Sequence, residues 1–523
     1  MASPVKTLPV PVPVHRPRPH GVLRGLDSTL HSHFNEGRFG RMFRTLPAAK
    51  YSPEALKELG FRMTAQKEDT PTPETKSDPE ENSGISAGYT YFGQFIDHDL
   101  TFDPASSLQK QNDPDALVDF RTPRFDLDNV YGRGPSDQPY LYRDDGLHML
   151  LGKKLKGNDK DPNSRGVPRN SPENGEPSRA LLGDPRDDEN IIISNLQAAF
   201  LRFHNRMVDF LADRDGVAPE FEDVQRLVRW HYQWSVVNDF LPTIIGDETL
   251  DAILPHLAEG TNPLDTPPDL RFYHVTPGTE AYMPVEFSVA AYRFGHSMIR
   301  PIYRINLSND RIPIFATNPP SLVGFRDFDE NLAVDWSLFF HMPGSGADLT
   351  PERVQPAYKP DTSLVNPLGR LPASVAGDPP PSLAARNLLR GMQMGLPSGQ
   401  AVAKRMGVPV IPDDKLMVGK ASIDPNDQKV NVPIASIAGE FKGNAPLWFY
   451  ILAEAFQQFD PAKEKPIRLG PVGGRIVGEV FAGLMMADSH SYLRQDPSWT
   501  PISEFCNAGK FGIAEMLVQS TKA

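Results

Sequence analysis

The stretch YFGQFIDHDLTFDP, residues 91–104, places four polar side chains among large apolar ones. Polar groups are costly to bury beside Phe and Ile unless each of them has a partner. On a helix, Gln94 and His98 lie four residues apart and share a face, which Asp97 borders. Asp99 points about 100° away from His98. We therefore predict a helix that faces two different partners, although a partly exposed helix with a satisfied histidine is the simpler alternative.

Length and charge narrow the class of protein. The chain has 523 residues, a formal net charge of −12 and a single cysteine, Cys506. A chain this long can bury a large core without disulfides, and one cysteine cannot form an internal disulfide. The acidic balance argues against a broad basic surface for nucleic acid. No apolar run of 18 residues is present, so no transmembrane segment is expected.

Proline-rich and polar segments divide the chain. The 53 prolines are about twice the average usage. Residues 1–24 are predicted to form a Pro-rich arm without the apolar core of a signal peptide, followed by one domain over 25–523. The segments 66–86, 153–180 and 342–383 are predicted to be loops.

Four segments carry apolar residues at helical spacing, and strand patterns are short and few. The predicted helices cover 193–211, 222–245, 445–459 and 472–493. The expected fold class is mainly α, with a single large domain, long Pro-rich loops and few short strands.

A second polar cluster lies in RTPRFDLDNVYG, residues 121–132. Thr122, Asp126 and Asp128 supply side-chain oxygens, and the Arg124 carbonyl lies between them. Calcium takes six to eight oxygen ligands of this kind. The spacing is not that of an EF-hand, and Asp-rich turns are common without a metal.

Two further segments have both a structural and a chemical interpretation. In GDPRDDEN (183–190), Arg186 and Glu189 are three residues apart; an acidic helix N-terminus is the structural alternative. In YRFGHSMIRP (292–301), His296 follows a glycine in an apolar segment. It is either a buried core histidine or a metal ligand, since imidazole is the commonest transition-metal ligand.

Taken in order, these segments resemble the animal haem peroxidase family over about residues 85–500. RGMQMGLPSGQ (390–400) resembles the segment that supports the proximal histidine, and LGPVGGRIVGEVF (469–481) resembles a late helix of the family. The resemblance implies a haem peroxidase domain that binds haem b and calcium.

The resemblance also assigns roles to single residues. His98 matches the distal histidine, Arg186 the distal arginine, and Gln94 the distal glutamine. His296 matches the axial iron ligand, which Gln400 would support where the family typically has Asn. The remaining assignments are Asp97 and Glu189 as carboxylates that can form esters with haem, Arg293 facing a propionate, and Asp99, Thr122, Arg124 (carbonyl), Asp126 and Asp128 as calcium ligands.

The activity implied is reduction of hydrogen peroxide and oxidation of small donors through a ferryl intermediate. His98 would take a proton from peroxide and return it to the leaving oxygen, while Arg186 stabilises the developing charge. Asn190 replaces the methionine that some members bond to haem. We therefore expect bromide, iodide, thiocyanate or phenols as donors, in preference to chloride.

Two alternatives remain open. A haem-dependent fatty-acid dioxygenase of the cyclooxygenase-like branch carries a tyrosine three residues before the axial histidine, where this chain has Arg293; Tyr292 is four before. A non-catalytic haem- and calcium-binding adhesion module would need neither His98 nor Arg186. Without a signal peptide or disulfides, we expect a bacterial-type member that is cytoplasmic or exported without an N-terminal signal.

Overall fold

A computed structural model describes residues 37–65, 78–101, 118–119, 121–172, 176, 178–275, 281–316, 321–343, 353–376 and 379–523. The predicted arm, residues 1–24, lies outside them. Within these residues the chain is mainly helical, and the strands have two to six residues. The predicted fold class is confirmed.

The α-helices are α1 Pro53–Arg62, α2 Gly88–Leu100, α3 Asp128–Tyr131, α4 Ile191–Asp215, α5 Phe221–Ser235, α6 Leu241–Ile244, α7 Asp247–Ile253, α8 Pro255–Glu259, α9 Val285–Ser288, α10 Ala373–Ala376, α11 Leu383–Gln393, α12 Gly399–Met406, α13 Pro425–Val430, α14 Leu447–Phe456, α15 Pro471–Ala487, α16 Tyr492–Gln495 and α17 Ile513–Ser520.

The strands are β1 Gly37–Gly40, β2 Glu81–Ser86, β3 Val118–Asp119, β4 Met283–Pro284, β5 Ile302–Tyr303, β6 Ile312–Pro313, β7 Pro356–Tyr358, β8 Met417–Val418 and β9 Val432–Pro433. They form one three-stranded sheet in the order β3-β1-β4 and three pairs, β2-β7, β5-β6 and β8-β9. These small sheets join distant parts of the chain.

The centre of the core is aromatic and lies where α2, α4 and α5 meet. The rings of Phe95 and Phe200 stack with centroids 4.1 Å apart. The ring of Tyr232 meets both at a steep angle. All three side chains are fully buried, and burying an aromatic side chain stabilises a fold by a few kcal/mol. This packing holds α2 in a defined rotation about its axis.

Three of the four predicted helices are confirmed with shifted ends. The segment predicted over 193–211 is α4. Asn190 caps the N-terminus of this helix, since its Oδ1 accepts the Ile193 N–H at 2.9 Å. Gly216 ends α4 with a left-handed φ of 70°, a conformation that favours glycine. The segment 445–459 is α14. The segment predicted over 222–245 is helical as far as Ile244, but residues 236–240 form a π-helical turn between α5 and α6.

Three local predictions are wrong in part. The fourth helix, predicted over 472–493, ends at Ala487, and a separate short helix follows. Residues 66–77 of the predicted loop 66–86 lie outside the described residues, and within the remainder Glu81–Ser86 forms β2 because it pairs with β7, a partner far along the chain. The predicted loop 342–383 likewise contains β7 and α10. No helix in the described part of the chain is long and apolar enough to cross a membrane.

Candidate active site

A cavity of about 920 Å³ lies beside α2. The α2 side chains Gln94, Asp97 and His98 line it. His296 lines it as well, from a 3₁₀ helix over Ala291–Met298. The two histidines that are far apart in the sequence therefore meet at one cavity. Asp99 is fully buried and is absent from the lining of this cavity, as the helical spacing predicts.

His98 has a carboxylate partner that the sequence did not indicate. Its Nδ1 lies 2.6 Å from Oδ1 of Asp187, and both side chains are buried. The other Asp187 oxygen accepts a hydrogen bond from Asn129 at 3.0 Å. Since a carboxylate can only accept, the Nδ1 proton is held on His98 and Nε2 is the basic atom. Burial and Arg186 lower the pKa of His98, but Asp187 and Glu189 outweigh them and the pKa lies above its usual value.

Arg186 is held beside His98 by two anchors. Its Nη2 donates to the His98 carbonyl at 3.1 Å and to Asp184 Oδ2 at 2.8 Å. Asp184 also accepts the Arg186 backbone N–H at 2.8 Å. Burial opposes ionisation of Asp184, yet Arg186 and Arg121 lower the pKa of its carboxyl group to about 2. The guanidinium is therefore charged and fixed at the cavity wall.

Three more polar groups complete this side of the cavity. Gln94 donates through Nε2 to Glu189 and accepts from Asn190 Nδ2 at 3.3 Å. Glu189 Oε1 lies 3.9 Å from His98 Nε2. Burial is the main cause of the raised pKa of Glu189. Asp97, Glu189 and Asn190 all line the cavity, so the predicted site residues of α2 and of 183–190 meet at one place.

A short loop fastens the segment that carries Arg186 and Glu189. The backbone N–H groups of Gly324 and Phe325 donate to the carbonyls of Glu189 and Asp188, at 2.9 and 2.7 Å. A Cβ at Gly324 would lie 1.8 Å from the Asp188 oxygen. Only glycine permits this close approach. Nothing in the sequence indicated this contact, which joins segments more than 130 residues apart.

His296 is supported by Asn387 and not by Gln400. The Nδ2 atom of Asn387 lies 2.8 Å from His296 Nδ1, and Asn387 Oδ1 accepts from Arg293 Nη1 at 2.7 Å. Gln400 instead accepts the Ala445 N–H at 2.8 Å. The expected contact of Gln400 is therefore wrong. Asn387 could have been singled out from the sequence, since it is an amide on the apolar face of α11 and a buried amide needs a partner.

The electrostatics of His296 suit a neutral ligand. Burial, followed by the charge of Arg293, lowers its pKa to about 3. The imidazole is therefore uncharged at neutral pH, which is the charge state in which histidine binds a metal. Arg293 also lines the cavity and donates through Nε to the Ser288 carbonyl at 3.0 Å.

On the other side of α2, Asp99 meets Asp126 and Asp128. Ligand oxygens of the three lie within 4.8 Å of one another. Burial, with the charges of the other two, raises the pKa of Asp99 well above its usual value. Thr122 Oγ1 donates to Asp126 at 2.7 Å, and the Arg124 N–H donates to the Thr122 carbonyl at 2.7 Å. These contacts fold the loop tightly onto Asp99.

A basic side chain also reaches this cluster. Arg121 Nη1 lies 3.2 Å from Asp128 Oδ1. Burial raises the pKa of Asp128 to about 7, although Arg121 opposes the shift. The charges of Arg121 and Arg229 do not balance the three carboxylates around the buried Asp99, so the cluster suits a divalent cation.

The model of the family described as "Animal haem peroxidase" matches residues 107–413 of the chain. This chain belongs to the animal haem peroxidase family. The matched region includes Arg186 and His296, and α2 with His98 lies just before it. The family implies a haem group and peroxidase-type enzymatic activity. The cavity fits such a group, because the neutral imidazole of His296 and the polar wall of α2 both border it.

Individual peroxidases resemble parts of the chain. Chorion peroxidase of Drosophila melanogaster is 29% identical over 239 residues, which are 43% of this chain and 26% of that protein. Peroxidasin of Drosophila melanogaster is 25% identical over 257 residues, 46% of this chain and 14% of that protein. The chain thus spans about a quarter or less of the length of these relatives.

Solved structures share the fold over most of the chain. Peroxidase A from Dictyostelium discoideum matches with a TM-score of 0.56 and 15% identity, over 91% of this chain and 93% of that chain. A fatty acid alpha-dioxygenase from Arabidopsis thaliana matches with a TM-score of 0.53 and 15% identity, over 92% and 75%. At such low identity these matches establish the fold alone.

Proposed function

We propose that this haem peroxidase family enzyme reduces hydrogen peroxide and uses the oxidising equivalents on halides, pseudohalides or phenolic donors. The observation that supports this most directly is the pairing of His98 with Asp187 and Arg186 at the cavity that His296 also borders. A binding module has no need of a buried histidine with an oriented basic nitrogen.

The residues of the cavity have separate tasks. The haem implied by the family would supply the oxidation–reduction chemistry, with His296 as its protein ligand and Asn387 bonded to that histidine. His98 Nε2 takes the proton of bound peroxide, since Nδ1 is committed to Asp187. The same nitrogen can then protonate the leaving oxygen. Arg186, fixed by Asp184, stabilises the negative charge that develops there.

Covalent attachment of the haem is part of the proposal. Asp97 and Glu189 both line the cavity, and carboxylates at its wall are placed to form esters with haem methyl groups. Peroxide-treated holoprotein should then retain haem after extraction with acidified acetone. Complete extraction would exclude a double ester link.

Calcium at Asp99, Asp126 and Asp128 is also proposed. The repulsion of Asp126 and Asp128 on the buried Asp99 supports it, and Thr122 and the Arg124 carbonyl belong to the same tight loop. Arg121 is a feature that the sequence did not suggest. Its positive charge balances part of the negative charge of Asp128, so less charge is left for a cation to neutralise.

Donor selection follows from Asn190. Asn190 has no sulfur and cannot form a sulfonium link to haem; its side chain instead bonds the α4 N-terminus and Gln94. We expect oxidation of bromide, iodide, thiocyanate or phenols to exceed that of chloride. Equal chlorination and bromination at neutral pH would contradict this expectation.

The dioxygenase alternative is less well supported. The axial segment is a 3₁₀ helix, in which residues three apart are eclipsed. Arg293 therefore takes the position above His296, and it is bonded to Ser288 and Asn387. Oxygen uptake with a fatty acid such as linoleate, in the absence of added peroxide, would favour the dioxygenase.

The deciding experiment measures peroxide-dependent oxidation of iodide and guaiacol by the haem-loaded protein. His98→Ala should lower kcat/KM for peroxide by about 100-fold or more. His148→Ala is the matched control, because His148 also bonds an aspartate, Asp145, at 2.6 Å but lies outside the cavity. Full activity of the His98 variant would overturn the proposed function.

A further inference from the structure

Tyr89, in the first turn of α2, joins the cavity to a buried carboxylate. Its side chain lines the cavity, and its hydroxyl donates to Asp239 Oδ1 at 2.6 Å. The second Asp239 oxygen accepts the N–H of Ile513, the first residue of α17, at 2.9 Å. Asp239 is therefore held on both oxygens and cannot turn away from the phenol.

The backbone around Asp239 is unusual. Asp239 lies in the π-helical turn over Val236–Phe240, and such turns occur frequently at functional sites. The same turn packs closely on α2, since a Cβ at Gly93 would lie 3.2 Å from the Phe240 ring. The wide turn thus brings a carboxylate to the end of the cavity wall that Tyr89 occupies.

The surroundings of Tyr89 link the loss of an electron from its ring to the loss of its phenolic proton. Burial and the Asp239 charge raise the pKa of the Tyr89 phenol well above its usual value, so it stays protonated at neutral pH. Burial also raises the pKa of Asp239, which makes its carboxylate a stronger base. A phenol in this setting loses an electron readily only when its proton can leave at the same time. The proton acceptor, Asp239, is already hydrogen-bonded to the Tyr89 hydroxyl.

Two other tyrosines that line the cavity lack this arrangement. The Tyr292 hydroxyl donates to the Gly93 carbonyl at 3.0 Å, and a peptide carbonyl is a far weaker base than a carboxylate. The Tyr91 ring packs on the Tyr303 ring with centroids 5.3 Å apart. Tyr292 is therefore a suitable comparison for Tyr89 within the same cavity.

We propose that Tyr89 and Asp239 form a redox site at which an oxidising equivalent of the peroxide-treated enzyme is held. In this step, which rests on the proposed peroxidase function, Tyr89 gives one electron to the peroxide-oxidised centre and its O–H bond breaks. The proton moves to Asp239 Oδ1. The products are a neutral tyrosyl radical, a protonated Asp239 and a centre reduced by one electron. A phenolic donor then gives one electron to the radical, Asp239 returns its proton to the Tyr89 oxygen, and the proton of the donor phenol passes to solvent.

This site would extend the oxidising reach of the enzyme along α2. Tyr89 precedes Gln94 by five residues, about 7.5 Å along a helix axis. Tyr89 is half-buried whereas His98 is buried, so phenolic donors that are too bulky to approach His98 can react at Tyr89 instead. Small anions such as iodide do not depend on it.

The test is electron paramagnetic resonance on the haem-loaded protein, frozen within milliseconds of mixing with hydrogen peroxide. We expect a tyrosyl signal that narrows when ring-deuterated tyrosine is incorporated. The signal should fall at least tenfold in Tyr89→Phe and in Asp239→Asn, and persist in Tyr292→Phe. Tyr89→Phe leaves Asp239 and its bond to Ile513 in place, so it reports on the proposal even if the Asp239 variant folds poorly.

Steady-state measurements give a second readout. Tyr89→Phe should keep iodide oxidation within about twofold and lose most oxidation of a bulky phenol. A signal that survives in Tyr89→Phe, or wild-type protein that consumes peroxide with no tyrosyl signal, overturns the redox site alone. Wild-type holoprotein that fails to consume peroxide overturns the peroxidase function and the redox site together.

Discussion

The Nδ1 atom of His98 lies 2.6 Å from Oδ1 of Asp187, and both groups are buried. This pair gives the histidine a single orientation and a single basic nitrogen. It also couples α2 to the segment that carries Arg186, because Asp187 is the residue that follows it.

Asp187→Asn should impair the reaction with peroxide. The Asn amide can donate to Nδ1, which would move the remaining proton to Nε2 and remove the base. We expect kcat/KM for peroxide to fall by about 100-fold or more. Asp145→Asn, which changes the exposed His148 pair, is the control and should have no effect.

The acid side of the pH profile should also show this pair. The pKa of His98 is raised above the ordinary histidine value of 6.5. Activity needs neutral His98, so it should fall as the pH decreases through a midpoint above 6.5. In Asp187→Asn, loss of the negative charge should lower that midpoint, measured from the residual kcat/KM for peroxide. An unchanged midpoint would mean that Asp187 does not influence this titration.

Asn387→Leu should change the axial ligand and leave the distal side intact. Without the amide, His296 loses its Nδ1 partner, and the iron–histidine stretching band of the reduced protein should shift in resonance Raman spectra. Gln400→Leu should leave that band in place. It should lower the stability by about 1–3 kcal/mol, because the buried Ala445 N–H loses its acceptor. A shifted band in Gln400→Leu together with an unchanged band in Asn387→Leu would identify Gln400 as the residue that supports His296.

Gly324→Ala should displace the segment carrying Arg186 and Glu189. The added Cβ would overlap the Asp188 carbonyl at 1.8 Å, and a small misplacement of catalytic groups can lower rates by about 100-fold. Gly439→Ala is the control, since nothing lies within 4 Å of a Cβ there. Stopped-flow measurement of the peroxide reaction would separate the two variants. Equal rates would show that the loop does not position the segment.

Removal of calcium should destabilise the protein more at pH 8 than at pH 5. Without a cation, burial raises the pKa of Asp99 well above its usual value and that of Asp128 to about 7. A carboxyl group whose pKa is higher in the folded protein than in the unfolded chain makes the folded state less stable as the pH rises from the unfolded pKa through the folded pKa. Thermal unfolding with and without a calcium chelator, at both pH values, measures this difference. Chelation should also disturb the Soret band, because His98 and Asp99 are adjacent.

Much of α2 could be predicted because the helical period alone separates its faces. Gln94, Asp97 and His98 point into the cavity and Asp99 away from it. Asp187 was missed because acidic residues before a helix are common for electrostatic reasons, and only the tertiary structure brings this one to His98.

Other errors have the same origin in long-range contacts. The polar sequence of β2 has little strand character, and it becomes a strand by pairing with β7 some 270 residues later. Gln400, on α12, lies in the segment 390–400 that was expected to support His296, whereas Asn387 lies on α11, three residues before that segment. Linear spacing does not tell which of the two helices turns its amide towards the histidine. Contacts between distant segments, rather than local propensity, decided these cases.

The two sides of α2 are separated by one peptide bond, and this leaves no tolerance in the length of the helix. A single residue inserted after Gln94 would rotate the following side chains by about 100° relative to those before it. His98 and Asp97 would then point away from their places in the cavity, and Asp99 away from Asp126 and Asp128. Point substitutions in α2 can therefore alter one side at a time, whereas an insertion or deletion of one residue should abolish both the cavity chemistry and the carboxylate cluster together.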